Sequence, residues 1–300
     1  MGRLIDRRQF IKHSAAVAGS IALARLSKAQ QAPPRPTATD KVPLGKTGLK
    51  ISRLGIGTGT NSGRIQVEIG REAFDRLIRY AYDKGITYID TAQSYRTFEW
   101  IGRSIKRLPR ERLFILSKIP GMPEDVLSVV DRHRKTFDTD YVDCMLIHCM
   151  MEPDWTEKFK AVMEGFDKAL EKGWIKAKGV SCHTLGALKA AVESPWPQVH
   201  LVRVNPQGYY TDGQWENWAR PTKNDISPVM EQIKLMHQKG RGVIGMKLIG
   251  NGTFTDPEDR QKAIRFAMAC KEINAVVIGF KDEKEIDEAI DRINKALAEV

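Results

Sequence analysis

The sequence predicts an α/β fold, a (β/α)8 TIM barrel over residues 42–300, preceded by a signal peptide and a short linker. Eight short apolar runs recur along residues 42–300, and helical patterns fill the gaps between them. The runs are rich in Val and Ile and lack clean alternation with polar residues, which is typical of parallel strands buried on both faces. Eight strand–helix units in a segment of this length indicate one barrel.

The eight predicted strands are RLGIGT, ITYIDTA, RLFILSKI, VDCMLIH, AKGVSCH, HLVRVN, GVIGMKL and AVVIGF, which begin near residues 53, 86, 112, 142, 177, 200, 242 and 275. Before them, VPLGKTGLKIS predicts a small hairpin with turn glycines in GKTG. Helical i, i+3, i+4, i+7 spacing connects Phe74, Leu77, Ile78 and Ala81. Asp256 before Pro257 predicts a helix start, and Asp282 with Glu285 has capping-box spacing.

A doubly wound open sheet is the alternative fold. That fold would carry a G-x-G-x-x-G turn after its first strand and an acidic residue at the end of its second. The segment LGIGTGTNSG contains glycines without this spacing, and no acidic residue follows in the required register. The barrel is therefore the favoured architecture.

Residues 1–29 resemble a bacterial twin-arginine signal peptide. Arg7 and Arg8 precede a weakly hydrophobic, Ala- and Gly-rich stretch, and small residues suited to a peptidase follow it. Ala29 is the favoured cleavage position, with Ala24 and Ala32 as alternatives. Retention as an uncleaved anchor is left open, as is a short amphipathic helix with incidental arginines.

The signal predicts export by the twin-arginine machinery, to the periplasm or otherwise out of the cytoplasm. Because that route carries folded proteins, folding and any cofactor loading would come first. Residues 30–41 are Pro- and Ala-rich and polar, and they predict an extended linker.

Composition and charge exclude several classes of function. The net charge is +11, but residues 1–29 hold six cations and one acid, so the remainder carries +6. No dense basic tract is interleaved with aromatic residues, which disfavours nucleic acid as a partner. No run of 18 apolar residues predicts a transmembrane helix in the mature form. The four cysteines form no C-x-x-C and no Cys/His cluster at metal spacing, so no metal site is predicted.

Polar side chains mark the ends of three successive predicted strands. Asp90 ends strand 2 and Tyr95 lies in the following loop, while Lys118 ends strand 3 and His148 ends strand 4. Because all strands of a barrel end at the same mouth, these four side chains are expected to converge there.

The four residue types suit proton transfer to a carbonyl group. Asp90 can serve as the counter-ion that a buried Lys118 requires. An ammonium group near a phenol favours phenolate, so Lys118 is expected to lower the pKa of Tyr95 and make it a proton donor near neutral pH. A hydrogen bond from His148 can orient the same oxygen and support its developing negative charge.

In these four residues the sequence resembles the aldo-keto reductases over about residues 42–300. The resemblance implies that Tyr95 is the proton donor, Lys118 its pKa partner, Asp90 the partner of Lys118, and His148 the orienting group. It implies hydride transfer between a nicotinamide, NADP(H) or NAD(H), and a small-molecule aldehyde or ketone, or the reverse reaction.

The resemblance also implies residues that hold the nicotinamide. Ser181 matches the Ser of a Ser–Asn pair that binds the carboxamide, and Cys182 stands in place of the Asn. Gln207 resembles the carboxamide-binding Gln, although Asn205 competes for that role. In VIGMKLIG, which includes Lys247, the family often stacks an aromatic ring on the nicotinamide; Met246 stands there, and a thioether can also pack on a ring.

The adenosine-phosphate segment of the family resembles VIGFKDEKEIDEAI. Gly279, Phe280 and Lys281 fit a phosphate-facing loop that opens a helix. The family's Arg, Gln and Asn in that helix are replaced here by Asp282, Glu285 and Ala289. Lys281 favours NADP whereas the added acids disfavour a 2′-phosphate, so the choice between NADP and NAD is open.

Bulky aromatic residues follow strands 4 and 6. They are Trp155, Tyr209, Tyr210, Trp215 and Trp218, which form either a packed lid or a substrate contact. A non-catalytic barrel that binds a nicotinamide or another ligand as a sensor or scaffold is the alternative function. A barrel hydrolase or isomerase would require paired acids or a metal site at the strand ends, and neither is seen.

Overall fold

A computed structural model describes residues 35–213 and 222–300 of the chain. The predicted signal peptide, residues 1–29, and the first residues of the predicted linker lie outside this part. Eight strands form a closed barrel in which every neighbouring pair is parallel, and strand 8 pairs with strand 1 to complete the circle. The predicted (β/α)8 barrel is confirmed and the open sheet is excluded.

Barrel strands 1 to 8 are Leu54–Gly57, Tyr88–Asp90, Phe114–Ile119, Val142–Met150, Ile175–Cys182, Val199–Arg203, Gly242–Met246 and Ala275–Gly279. Each lies within a predicted run or overlaps it. The register aligns Asp90 with Leu116 and Leu116 with Cys144, so the carboxyl ends of strands 2 to 4 meet at one rim.

The α-helices of the described residues are Arg64–Glu68, Arg71–Asp83, Ile101–Ile105, Val126–Thr136, Trp155–Lys158, Lys160–Glu171, Leu185–Glu193, Ser227–Gln238, Pro257–Ala269 and Glu283–Ala298. Short 3-10 segments cover Phe98–Trp100, Arg110–Arg112 and Gly250–Gly252. Two predicted helix starts are confirmed: the Asp256 carboxylate accepts from Glu258 N at 2.8 Å, and that of Asp282 accepts from Glu285 N at 2.9 Å. None of the helices in the described ranges is long and apolar enough to cross a membrane.

The predicted hairpin is present and closes the amino-terminal end of the barrel. Its strands, Lys41–Pro43 and Lys50–Ser52, pair antiparallel. Leu44 and Ile51 are fully buried and belong to the same apolar cluster as the barrel interior. Because the hairpin covers this end, the opposite rim is the open mouth.

The last residues of the predicted linker pack against the barrel. Ala38 is fully buried, and its backbone N–H donates to Asn294 Oδ1 at 2.8 Å. Leu54 N donates to Ala38 O at 2.8 Å, which ties this segment to the start of strand 1.

Alternation along the strands divides most of their side chains between two apolar cores. Residues such as Tyr88, Leu116 and Leu146 fill the barrel interior, whereas their neighbours Ile89, Ile115 and Ile147 pack against the helices. Each strand therefore contributes every second residue to stacked interior layers. The layer nearest the mouth follows from this parity, and it contains Asp90, Lys118, His148, Ser181, Arg203 and Met246.

Candidate active site

A buried ion pair joins strands 2 and 3 at the mouth. Lys118 is 1% exposed, and its Nζ donates to Asp90 Oδ1 at 2.7 Å and to the backbone oxygen of Thr91 at 2.8 Å. Burial lowers the pKa of Lys118, and the Asp90 carboxylate opposes that shift. The predicted pairing of these two residues is therefore present.

Tyr88 holds the second oxygen of Asp90. Its hydroxyl donates to Asp90 Oδ2 at 3.1 Å, so both carboxylate oxygens have a partner. Sequence reasoning treated Tyr88 only as part of a strand. Its position two residues before Asp90 was the available signal, because residues i and i+2 of a strand face the same side.

Tyr95 reaches the same mouth from the loop after strand 2. Its ring lies edge-on to His148, with 5.6 Å between ring centroids, and Lys118 Nζ lies 5.1 Å from the Tyr95 ring centroid. The expectation that Lys118 lowers the pKa of Tyr95 is wrong for this structure. Burial, followed by the nearby Asp90 and Cys149, raises the pKa of the phenol. The Lys118 ammonium is hydrogen-bonded to Asp90 instead.

Gly59, in the loop after strand 1, supports the Tyr95 ring. A methyl group at this position would lie 2.1 Å from a carbon of that ring, which is far inside contact distance. Sequence reasoning assigned this glycine no role. Tyr95 is about 35 residues away from Gly59 in the chain, so no local sequence pattern could predict this contact.

His148 is a neutral imidazole. Burial, together with the charges of Lys118 and Lys247, lowers its pKa to about 3. Its Nδ1 lies 3.3 Å from Ser94 Oγ. In the tautomer in which Ser94 donates to Nδ1, the ring proton is on Nε2 and is available to a ligand.

A bulge at the end of strand 4 changes where the next side chain points. The pairing of strands 4 and 5 shifts register between Ile147 and Met150, and Cys149 has a left-handed φ of 65°. Met150 consequently packs in the outer core rather than the barrel interior. Cys149 Sγ lies 2.9 Å from Nδ1 of His183, which follows strand 5.

Ser181 and Cys182 face opposite sides of strand 5. Ser181 Oγ accepts from Cys149 N at 2.9 Å, in the layer nearest the mouth. Cys182 is 1% exposed and packs in the outer core, so the structure does not bring its thiol to the mouth. All four cysteines are free thiols.

The two candidates after strand 6 make different contacts. Asn205 is fully buried, and its Nδ2 donates to the backbone oxygens of Tyr209 and Lys247 at 2.7 and 3.1 Å. Gln207 Nε2 donates to the backbone oxygen of Asp259 at 2.9 Å, whereas Gln207 Oε1 is buried without a partner in the described residues. Asn205 is thus a structural clamp, and Gln207 keeps one acceptor available.

Arg203, which sequence reasoning did not single out, ends strand 6 in the mouth layer. It is 1% exposed, and its Nε lies 2.6 Å from Asp212 Oδ1. Arg203 comes two residues after the inward-facing Leu201, and residues i and i+2 of a strand face the same side. This spacing could have predicted that Arg203 faces the barrel interior.

Met246 and Lys247 end strand 7. Met246 is half-buried and packs on the interior core from the mouth side. Lys247 has a left-handed φ of 61°, and its Nζ lies 2.6 Å from Asn251 Oδ1. Burial, with Arg203 as the next cause, lowers the pKa of Lys247 to about 8.

Acidic side chains occupy the start of the helix after strand 8. Glu285 accepts from the backbone N–H of Lys281 at 2.9 Å and lies 3.3 Å from Lys281 Nζ. Phe280 is 2% exposed and packs in the outer core, so its side chain does not face the mouth. A side chain at Gly279 would collide with Thr60 Oγ1 at 2.1 Å, which explains the glycine.

The aromatic loops are partly packed. Trp155 is 1% exposed and its Nε1 donates to Ala187 O at 3.1 Å, so it is a core residue. Tyr210 is 8% exposed and Tyr209 is 37% exposed. Trp215 and Trp218 lie outside the described residues. Across residues 35–213 and 222–300, no group of three His, Cys, Asp or Glu side chains could hold a metal ion.

Residues 53–299 match the Aldo/keto reductase family. Glyoxal reductase of Bacillus subtilis (strain 168) is 29% identical over 255 residues, which are 78% of this chain and 87% of that protein. An aldo-keto reductase 1 of Glycine max is 25% identical over 228 residues, 71% of this chain and 60% of that protein. The NAD/NADP-dependent indole-3-acetaldehyde reductase of Schizosaccharomyces pombe is 27% identical over 168 residues, 54% of this chain and 58% of that protein. The chain thus spans less than two thirds of the soybean and fission yeast proteins.

Solved structures share the fold. An aldo-keto reductase from Bacillus halodurans, in its holo form, has a TM-score of 0.68 at 15% identity and covers 87% of this chain and 96% of its own. A Pseudomonas aeruginosa protein described as an aldo-keto reductase has a TM-score of 0.70 at 21% identity and covers 88% of this chain and 98% of its own. At these identities the likeness establishes the barrel.

The contact between Gly59 and Tyr95 predicts that Gly59→Ala displaces the Tyr95 ring. The added methyl group overpacks the mouth, so we expect a loss of about 1–3 kcal/mol in the free energy of unfolding. A crystal structure of the variant should show a longer Tyr95–His148 ring separation. Gly186→Ala is the control, because its nearest neighbour would be Pro153 at an ordinary 3.6 Å. An unchanged Tyr95 position in Gly59→Ala would contradict the prediction.

Proposed function

The chain belongs to the Aldo/keto reductase family, and on that premise we propose that it reduces the carbonyl group of a small aldehyde or ketone, or oxidises the corresponding alcohol, with a nicotinamide cofactor. The observation that carries the proposal is the convergence of three groups on one mouth. They are the Tyr95 phenol, the neutral His148 imidazole and the Lys118 ammonium held by Asp90.

The protonation states of these groups suit the reducing direction. The raised pKa of Tyr95 keeps its hydroxyl protonated, so it has a proton to donate to the carbonyl oxygen. His148 donates a hydrogen bond from Nε2 to the same oxygen without competing as an acid, because its pKa is about 3. As negative charge passes to the phenol oxygen, the Lys118 ammonium near the Tyr95 ring stabilises it.

The mouth offers groups that fit a nicotinamide, which when bound supplies or accepts the hydride. Gln207 Oε1 is a buried acceptor with no partner among the described residues, and a carboxamide N–H would satisfy it. Ser181 Oγ lies in the mouth layer, and Met246 presents a half-buried thioether that can pack on an aromatic ring. Lys247, which follows Met246 at the end of strand 7, completes this set.

We favour NAD(H) over NADP(H). Lys281 would be the cation for a 2′-phosphate, but Glu285 neutralises it and also occupies its backbone N–H. Asp282 caps the same helix. A phosphate dianion would therefore meet carboxylates at this helix start, whereas a ribose hydroxyl would meet hydrogen-bond acceptors.

The carboxylates at the start of the helix after strand 8 also support the alternative, a barrel that binds a ligand without catalysis. Loss of an unpaired phosphate-binding cation weakens cofactor affinity, and a sensor or scaffold would tolerate that loss. The four-residue arrangement favours the enzyme, because a scaffold has no need of a protonated phenol next to a neutral imidazole.

We propose further that the protein is exported by the twin-arginine machinery. The proposal rests on the order of Arg7 and Arg8, the weakly apolar stretch and the small residues that follow. A tightly held cofactor would then be loaded before export.

Tyr95→Phe should lower kcat for carbonyl reduction by about 10²–10⁴-fold, because only the donated proton is lost. The dissociation constant for NADH, measured by fluorescence, should stay near that of the parent. Tyr80→Phe is the control, since Tyr80 hydrogen-bonds Asp287 on the outer surface of the barrel. Undiminished turnover in Tyr95→Phe would remove the proton-donor role, and absence of cofactor binding in the parent would favour the scaffold.

Glu285→Gln should improve NADPH binding relative to NADH by about two- to fivefold, which corresponds to ~0.3–1 kcal/mol for a charge at a helix start. The substitution frees Lys281 without adding charge. Glu283→Gln removes an equal charge from the same helical turn, whereas Glu285 makes the ion pair and the backbone hydrogen bond with Lys281, so Glu283→Gln should change the ratio less. Tighter binding of NADPH than NADH by the parent protein would overturn the NAD preference.

Replacing both Arg7 and Arg8 with Lys should retain the precursor in the cytoplasm, because the paired arginines are the recognised feature of the signal. Cell fractionation and blotting would measure the exported fraction. Arg3→Lys, outside the pair, is the control and should leave export intact. Normal export of the double variant would refute the targeting proposal.

A further inference from the structure

The end of the barrel opposite the mouth carries a large positive charge. The segments that lead into the eight strands at this end are residues 36–53, 84–87, 106–113, 137–141, 172–174, 194–198, 239–241 and 270–274. Together they contain 13 Lys and Arg and 5 Asp and Glu, which gives a net charge of +8. We call these segments the basic end.

The segments around the mouth carry the opposite sign. Those that run from each strand to the next α-helix are residues 58–63, 91–100, 120–125, 151–154, 183–184, 204–226, 247–256 and 280–282. Together they contain 5 Lys and Arg and 10 Asp and Glu, which gives a net charge of −5. The two ends of the barrel therefore differ strongly in charge, and a charged surface attracts one end and repels the other.

Cations crowd around the loop before strand 3, within the basic end. Lys106, Arg107 and Arg112 of this loop are exposed. Lys41 Nζ donates to the backbone oxygen of Arg112 at 3.3 Å, and Arg79 Nη2 donates to that of Lys106 at 3.1 Å. These two hydrogen bonds bring further positive charges to the same surface. Like charges this close repel one another, and an opposite charge placed against them relieves the repulsion.

Aromatic rings accompany the cations of this end. Tyr141 and Trp174 come directly before strands 4 and 5, and both are half-buried. Lys176 Nζ lies 3.8 Å from the centroid of the Tyr141 ring, and the guanidinium carbon of Arg134 lies 4.6 Å from that of Trp174. Tyr and Trp are enriched where proteins meet the boundary between lipid headgroups and water, because each ring is apolar at one end and polar at the other.

The chain enters the barrel at the basic end. Leu54 N, at the start of strand 1, donates to Ala38 O at 2.8 Å, so whatever precedes Ala38 is joined to the barrel on this side. A signal peptide meets a membrane during export. On the export proposal, the segment that meets the membrane is thus connected to the basic end and not to the mouth.

We propose that the basic end docks on an anionic lipid bilayer and leaves the mouth open to solution. Anionic headgroups attract Lys and Arg side chains that lie near the bilayer surface. The net charge of −5 around the mouth opposes docking in the reverse orientation. Docking is peripheral, since none of the helices in residues 35–213 and 222–300 is long and apolar enough to cross a membrane.

A nucleic acid is the other polyanion of matching charge. The bilayer is favoured because the cations are distributed among six of the eight segments of the basic end, which suits a broad partner. The proposed export would also separate the protein from the nucleic acids of the cytoplasm. Binding to duplex DNA is therefore measured beside binding to vesicles.

The test measures co-sedimentation of the full-length protein with vesicles of phosphatidylglycerol and phosphatidylcholine in equal parts. Binding should be at least tenfold tighter than to pure phosphatidylcholine and should weaken at least tenfold from low to high salt. Lys106→Glu combined with Arg107→Glu should weaken binding at least tenfold. Lys189→Glu combined with Lys262→Glu is the control, because it makes the same change in net charge at exposed positions within two outer helices. It should stay within threefold of the parent.

A second variant protects the test against misfolding. Lys50→Glu combined with Lys172→Glu reverses two exposed charges in other segments of the basic end and should also weaken binding at least tenfold. Circular dichroism should show unchanged thermal unfolding in every variant that is compared.

Four outcomes would overturn the proposal. They are absence of parent binding to the anionic vesicles, equal weakening by the control variant, binding that neither basic-end variant alters, and tighter binding to duplex DNA than to vesicles at the same salt. In the third outcome another part of the chain holds the vesicle, and in the fourth the partner is a nucleic acid. None of these readouts depends on reductase activity, so failure of the proposed function would leave the bilayer proposal standing.

Discussion

The buried ion pair between Lys118 and Asp90 is the interaction on which the arrangement of the mouth depends. It joins adjacent strands, and its members are further held by Tyr88 and by the backbone oxygen of Thr91. Removing one partner of such a pair leaves an uncompensated buried charge and typically costs about 3–5 kcal/mol. The Asp90 carboxylate opposes the effect of burial on the pKa of Lys118. Burial, with the Lys118 charge as the next cause, lowers the pKa of His148 to about 3.

Local departures from regular strand geometry aim the remaining side chains. A bulge after Ile147 places Cys149 against His183, and a left-handed backbone conformation at Lys247 accompanies the contact of its ammonium with Asn251. Regular strands would have sent alternate residues into the outer core. Bulges and strained residues are common beside functional sites because they re-aim a side chain without changing the fold around it.

The charges of the mouth form one coupled system. Burial, Lys118 and Lys247 hold the His148 imidazole neutral, and burial keeps the Tyr95 phenol protonated. The carboxylates of Asp90 and Asp212 form ion pairs with Lys118 and Arg203. Among the described residues, the site is thus rich in hydrogen-bond donors. Such a site suits a substrate oxygen that gains negative charge.

Sequence alone determined the eight strands, the hairpin and two helix caps, because these follow from short-range periodicity and local capping chemistry. It also determined that Asp90, Lys118 and His148 share one rim, since parallel strands of a barrel end together. Tertiary structure decided the rest. The alternation of side chains along strand 5 places Cys182 in the outer core, and Gly59 packs against the ring of the distant Tyr95. Burial raises the pKa of Tyr95, which is the reverse of the expected shift. Desolvation and packing depend on neighbours distant in sequence, and no local pattern encodes them.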